Sequence, residues 1–539
     1  MSESTAPSDT VLLRGGEVHS PADPFATAMV VERGQIAWVG SEGAADAFAD
    51  GVAEVVDLEG ALVTPAFTDA HVHTTATASR SPASTSATRP PWTRPSPSYA
   101  TSPPPAPPTG SCSATAGTRP AGPAAAPTRA ELDEAAGGRP LYLSRIDVHS
   151  AVATTALLDM VPGVTGRTGY QDGPLTRDAH HAVRAAALGA VTARQRTEAQ
   201  RAALAHAASL GIGSVHECAG PDISSEDDLT GLLRLAAEER GPRVVGYWAE
   251  PGEEGVAKAR ELGAVGAAGD LFVDGSLGSY TACLHQPYAD AGHSGTAYLD
   301  DAAVAAHVIA CTEAGLQAGF HAIGDAAVTS VVEGVRAAAE KVGLARVRAA
   351  RHRVEHAEML TPETIASFAE FGLTASVQPA FDALWGGEDG MYAQRLGVER
   401  ARTLNPLAAL LRTGVPLAFG SDSPVTPLDP WGTVRAAAFH RTPEHRVSVR
   451  AAFTAHTRGG WRAIGRDDAG VLVPGAPADY AVWGTGELVV QAPDDRVARW
   501  STDPRSGTPG LPDLSPGGDL PVCLRTVVGG RTVFVRPGE

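Results

Sequence analysis

"TPAFTDAHVH", Thr64–His73, closes an apolar run on two histidines placed two apart. On a β-strand, residues i and i+2 share a face. Two imidazoles on one face at a strand end can ligate one divalent metal. Alone, such a pair is more often two ordinary strand histidines. The later strand ends change that balance.

Downstream, apolar strand-like runs alternate with Ala-rich helical stretches. "RPLYLSRIDVHS", "GIGSVHE", "GDLFVDGS", "LQAGFHAIGD", "RHRVEHAEM", "GLTASVQP" and "VPLAFGSDSP" are predicted strands. "RTEAQRAALAHAASL", "DDLTGLLRLAAEER", "DAAVAAHVIACTEAG" and "AAVTSVVEGVRAAAEKVG" are predicted helices. Repeated strand–helix units imply a parallel sheet with helical crossovers. Ionisable residues close these strands again and again: His71 and His73, His149, His216, Asp274, His321, His356, Asp422. That is the pattern of an α/β (β/α)8 barrel, whose catalytic groups sit at the C-terminal strand ends. A doubly wound sheet would carry one Gly-rich phosphate turn, and none is evident.

Both ends of the chain read differently. "TVLLRGGEVHS", "AMVVERGQIAWVGS" and "AEVVDLEGALVTPAF" alternate apolar residues with glycine turns, as do "ADYAVWG", "ELVVQAP" and "LRTVVGGRTVFV". One small β-sandwich built from both termini is expected, from residues 1–64 and 467–539, around a barrel spanning 65–466.

The 539 residues carry a net charge of -18, which argues against a nucleic-acid surface. "MSESTAPSDT" lacks the basic and apolar regions of a secretory signal, and no apolar run reaches membrane-span length. The five cysteines are scattered, without a CxxC pair, and read as reduced cytosolic thiols. A cytoplasmic protein acting on a small molecule is expected, without nucleic-acid or membrane partners. A homo-oligomer is compatible with all of this.

Taken together, "TPAFTDAHVH", "YLSRIDVHSAV", "LFVDGSLGSYTACL", "HAIGDAAV", "RVEHAEM", "ASVQPAF", "FGSDSPV" and "GVLVPGAPADYAVW" resemble the amidohydrolase superfamily. They are most similar to its amidohydrolase-3 branch, which includes N-substituted formamide deformylases. The resemblance implies a metal-dependent hydrolase of amide-type C–N bonds. It implies that His71, His73, His321 and His356 hold one or two divalent ions, Zn2+ foremost. Asp422 would take a proton from the attacking water and pass it to the leaving nitrogen. Bound Zn2+ makes hydroxide available near neutral pH, and a carboxylate suits the proton transfer. Deamination of a heterocycle and opening of a cyclic amide, on the same barrel, stay open as alternatives.

Many relatives carry a lysine four residues before the "DG" of "FVDGS", and its carbamate can bridge two metals. Here that position is Asp270. Aspartate can ligate directly but is shorter, so one ion is the expectation; a solvated strand-start carboxylate is an equal reading. His149 and His216 are candidates to line the substrate pocket, or hydrogen-bonded histidines of the barrel mouth. Asp274 and Gln378 match motif positions that place substrate or loops. The loop "CLHQPYADAGHSGTAYLD" is expected to shape specificity. Cys218 reads as an inert thiol.

One tract conflicts with the barrel. From Thr74 to Ala130 there is no Leu, Ile, Val, Met, Phe, Asp, Glu or Lys, where a first helix and second strand are expected. A disordered Pro-rich linker is the plain reading. Yet Pro, Ala, Arg, Ser and Thr are also what GC-rich codons give out of phase. Suitable synonymous codons, shifted by two bases, recover barrel-like sequence at both ends of the tract, just before "PTRAEL" (Pro127–Leu132). Residues 77–126 are therefore expected to reflect two compensating single-base frame changes. If they belong to the protein itself, poor folding or an inactive product is expected. Sequencing the DNA across codons 74 to 130 tests this: a missing base near the start and an extra one near the end support it, and unchanged bases refute it.

Overall fold

The computed structural model describes residues 10–78, 112–115, 127–145, 149–491, 500–501 and 508–538. Eight strands form one parallel sheet: β1 (Phe67–Val72), β2 (Ile212–Ala219), β3 (Arg243–Trp248), β4 (Gly266–Ala267), β5 (Gln317–Ala322), β6 (Arg353–His356), β7 (Thr374–Val377) and β8 (Leu417–Phe419). They lie side by side in chain order. The first and last strands meet through a parallel bridge at Val72 and Ser423. His73 N donates to Ser423 O at 2.8 Å, and Asp422 N to His71 O at 2.8 Å. The nearly closed barrel thus joins its edges at the residues expected to carry chemistry.

Helices cover the barrel, and their ends follow local chemistry. Thr192 and Gln195 form a capping box at the start of Ala193–Ser209. Asp300 caps Asp301–Ala314, which stops at Gly315 with φ of 69°. Phe67, Trp248, Phe320, Val354 and Trp431 belong to one continuous core beneath these helices.

Two further sheets come from the chain's ends. Thr10–Arg14, Ala28–Glu32, Gln35–Gly40 and Glu54–Asp57 form one. Glu17–Val18, Leu62–Pro65, Tyr480–Gly484, Val522–Val528 and Arg531–Val535 form the other. Leu13, Met29, Val31, Val63, Tyr480, Val482 and Val527 pack together in a shared core. Trp483 ties this sandwich to the barrel, its ring 5.7 Å from Phe67 and 5.4 Å from Trp431.

Two expectations about the barrel need correction. Its second strand (Ile212–Ala219), entered from the helix Ala193–Ser209, lies beyond the anomalous tract, although Thr74 N at the tract's start donates to Glu217 of that strand at 2.7 Å. The frame-change reading falls mostly on residues 79–111 and 116–126, outside the described residues. "RPLYLSRIDVHS" is not a barrel strand. Leu141–Ser144 and Ser150–Ala153 pair antiparallel in a separate four-stranded sheet, which has its own core of Tyr142, Leu157 and Val183. The third barrel position is taken by Arg243–Trp248.

Candidate metal centre

Six side chains converge at the C-terminal end of the barrel. His71 and His73 come from β1, His321 from β5, His356 from the end of β6. Asp270 lies three residues past β4, and Asp422 three past β8. All six are buried. The turns that present them leave ordinary strand geometry: His356 has φ of 67° and Asp422 of 53°. Few L-residues adopt this region without a local reason. Asp69 supports the β1–β8 junction, since its Oδ1 accepts from Ser421 N at 2.9 Å and His71 N at 3.2 Å.

Asp270 stands between the imidazoles. Its Oδ1 is 3.4 Å from His71 Nε2 and 3.7 Å from His356 Nε2; its Oδ2 is 3.2 Å from His73 Nε2. Asp422 Oδ1 lies 3.1 Å from His73 Nε2 and 3.5 Å from His71 Nε2. The potential ligand atoms of His71, His73 and Asp270 lie within 4.8 Å of one another, and so do those of Asp270, His321 and His356. Asp270 belongs to both groups. The expectation of a solvated strand-start carboxylate for Asp270 is therefore corrected: the side chain is buried among imidazoles.

The electrostatics favour a cation here. Burial alone would lower the pKa of His73, but the Asp270 and Asp422 carboxylates raise it to about 9. Burial pushes the Asp270 carboxyl up; the facing histidines outweigh this and hold it well below the usual range. His321 is lowered to about 3, by burial first and then by His356. Among the described residues, His71 Nε2, His356 Nε2 and Asp270 Oδ1 are buried without a hydrogen-bond partner. Buried polar atoms are rarely left so. Three orphaned atoms of ligand type facing one another fit a divalent ion with nitrogen and oxygen ligands.

The remaining candidates are placed differently. Gln378 Oε1 receives His356 Nδ1 at 2.9 Å. Asp274 is fully buried, its carboxylate accepting from the amides of Cys283 at 2.8 Å, Ile323 at 3.0 Å and Gly324 at 2.8 Å. It braces the turn after β5 that carries His321. His149 does not end a barrel strand; it precedes Ser150–Ala153 of the separate sheet. Its ring nonetheless lies 5.3 Å from His321 and 5.4 Å from Phe272, bordering the centre. His216 is inside β2 rather than at its end, with Nδ1 3.2 Å from Arg353 Nη1. Cys218 is buried and its thiol is pushed up to about 12, chiefly by desolvation, as befits an inert thiol.

Glu355 is the residue that pattern reading missed. It is fully buried, with Oε2 2.9 Å from His71 Nδ1 and 2.9 Å from Arg353 Nη2. Burial pushes its carboxyl up, but Arg353 beside it prevails and holds it at about 2. Its signal was available: Arg353 and Glu355 sit two apart on one strand, so they share a face.

Known proteins resemble this chain in sequence and in fold. The chain is 34% identical over 225 residues to the protein LONG AFTER FAR-RED 3 of Arabidopsis thaliana, covering 40% of this chain and 38% of that one. It is 29% identical over 225 residues to the putative amidohydrolase YtcJ of Bacillus subtilis, covering 39% and 41%. The matches therefore span about two fifths of the curated relatives' length. A crystal structure of an uncharacterized metal-dependent hydrolase from Pyrococcus furiosus superposes with a TM-score of 0.67 at 25% identity, covering 88% of this chain and 98% of that one. The family profile itself matches residues 54–534, which include every ligand-type residue of the centre and the C-terminal strands of the terminal sheets, so the chain belongs to the amidohydrolase family.

Proposed function

We propose that this chain is a metal-dependent hydrolase of an amide-type C–N bond, with N-substituted formamides as the first substrate class to test. The observation that carries the reading is Asp270, one buried carboxylate shared by two groups of ligand-type residues. His71, His73 and Asp270 would hold one divalent ion, and Asp270, His321 and His356 a second. Such ions, when bound, lower the pKa of water to about 7 and polarise a carbonyl.

The chain's own residues do the rest. Asp422 Oδ1 faces the His71–His73 side of the centre, where it accepts the proton of the attacking water. The same carboxyl returns that proton to the nitrogen as the C–N bond breaks, so one group serves as base and then acid. Gln378 fixes the His356 ring, so that Nε2 faces the centre. Asp274 holds the turn that follows His321, through the amides of Ile323 and Gly324. His149 and Phe272 border the His321 side and are proposed to contact substrate.

The test joins metal analysis to substrate profiling. Purified protein is assayed for bound metals, then offered N-formyl amines, N-acetyl amines, cyclic amides and aminated heterocycles. Co-purifying or reconstituted divalent metal, with formate and amine released in equal amounts, is the expected result. Ammonia release from a heterocycle would move the reading to deamination. Full-length folded protein with no metal affinity and no turnover would overturn it.

A further inference from the structure

We propose that the buried Arg353–Glu355 pair is a positioning device for His71: it fixes which ring nitrogen faces the centre and makes the His71 side the tighter of the two metal positions. The inference rests on the metal-hydrolase reading above and adds residues to it.

An imidazole can ligate through only one nitrogen at a time, and the other must be held. Glu355 Oε2 lies 2.9 Å from His71 Nδ1, so the Nδ1 proton has an anionic acceptor. That leaves the Nε2 lone pair directed at Asp270 and Asp422, where it has no hydrogen-bond partner. A carboxylate behind a ligating histidine fixes its tautomer and raises its basicity.

Arg353 holds the carboxylate in turn. Its Nε and Nη2 both bond Glu355, and Nη2 also donates to Ala70 O at 2.7 Å and Ser376 Oγ at 2.7 Å. Ala70 is the residue before His71, so Arg353 grips the backbone of β1 beside the ring it helps to orient. His216 Nδ1 accepts from Nη1 at 3.2 Å, and the guanidinium lies 4.6 Å from the Tyr247 ring centroid. The pair and its supports therefore span β1, β2, β3, β6 and β7. A buried ion pair is weak evidence for stability, because apolar residues of similar volume often serve as well. A ligand histidine at its end gives this one a function.

The contrast with His356 is internal to the site. Its Nδ1 meets the neutral amide of Gln378 at the same distance, 2.9 Å. His71 thus has a charged, hydrogen-bonded support and His356 an uncharged one; His321 Nδ1 stands 3.6 Å from the Asp274 carboxylate without a hydrogen bond, so the bonded anionic support falls on the His71 side.

Zn2+ affinity, measured on the full-length apoprotein by competition with a chromophoric chelator, tests this. Loss of a carboxylate support of this kind typically costs 10- to 100-fold in metal affinity. Glu355→Gln is expected to weaken the tighter position by about that factor. It should also shift the Co2+ absorption spectrum, which a change in overall stability would not. Because Glu355→Gln strands the Arg353 charge, the double variant Arg353→Met/Glu355→Gln is measured beside it, with apoprotein melting as the folding control. Gln378→Glu is the converse variant and should tighten the weaker position. Folded variants that bind Zn2+ as tightly as the parent, with an unaltered Co2+ spectrum, overturn the inference but leave the hydrolase reading standing. A parent protein that binds no metal overturns both.

Discussion

Asp422→Asn is expected to lower kcat by about 100- to 10,000-fold, the range for loss of a positioned general acid–base group. Bound metal and KM should change little. The substitution keeps the side chain's size and, unlike Ala, suits the backbone. Asp422 has φ of 53°, a region that asparagine tolerates better than most residues. Its amide still donates to His71 O, so the β1–β8 junction survives. The four histidines and Asp270 also remain. What disappears is the ability to take a proton at Oδ1, 3.1 Å from His73 Nε2. Steady-state kinetics and metal analysis on the same preparation separate the outcomes. Turnover within tenfold of the parent would remove Asp422 from the proton-transfer role. Loss of metal together with turnover would recast it as a ligand.

The centre was readable wherever an ionisable residue follows an apolar run closely. His71 and His73, His321, His356 and Asp422 all obey that rule, because the apolar strand body packs in the core while its C-terminal end faces the site. The same rule fails in two places. β3 ends on Trp248, and the carboxylate two residues on, Glu250, accepts from the Trp248 indole at 2.8 Å. Leu141–Ser144 is followed by Arg145 and His149, which imitates a barrel strand end, yet it pairs in another sheet. Periodicity shows that a segment is a strand but not which sheet receives it. The expected second strand shows the same limit. The barrel resumes at Ile212 after a long excursion, and no local window reveals how far apart in sequence two neighbouring strands lie.

Glu355 and Asp270 were obscured for a different reason. A charged residue in sequence is most often solvated, and only the folded chain shows that these two are not. Arg353 and Glu355 are both fully buried, paired across one strand face inside the barrel. Asp270 is understood only through contacts with His71, His73 and His356, which are remote from it in sequence. The one-ion expectation rested on the shortness of aspartate relative to a carbamylated lysine. In the fold, Asp270 Oδ1 stands 3.4 Å from His71 Nε2 and 3.7 Å from His356 Nε2, so the short side chain reaches both sides.

Asp270→Asn is accordingly expected to remove metal and activity together. The amide keeps the shape but loses the charge that two groups of imidazoles share. A unit charge about 4 Å from another is worth about 4 kcal/mol at an effective dielectric of about 20. A divalent ion doubles that, and even a quarter of the doubled figure, about 2 kcal/mol, exceeds a tenfold change in affinity. The variant should therefore retain at most one ion of the two proposed for the parent, with turnover falling at least as far as in Asp422→Asn. Metal analysis after dialysis against a weak chelator reads the stoichiometry. Bicarbonate supplies the second arm. A lysine bridge must be carbamylated, so its activity follows dissolved CO2, whereas an aspartate ligates as it stands. The parent's activity should accordingly be indifferent to bicarbonate during metal reconstitution. Full metal occupancy in Asp270→Asn would make Asp270 a bystander to the imidazoles. A bicarbonate requirement in the parent would point to a carbamylated amine elsewhere, and the shared-carboxylate account would fall with it.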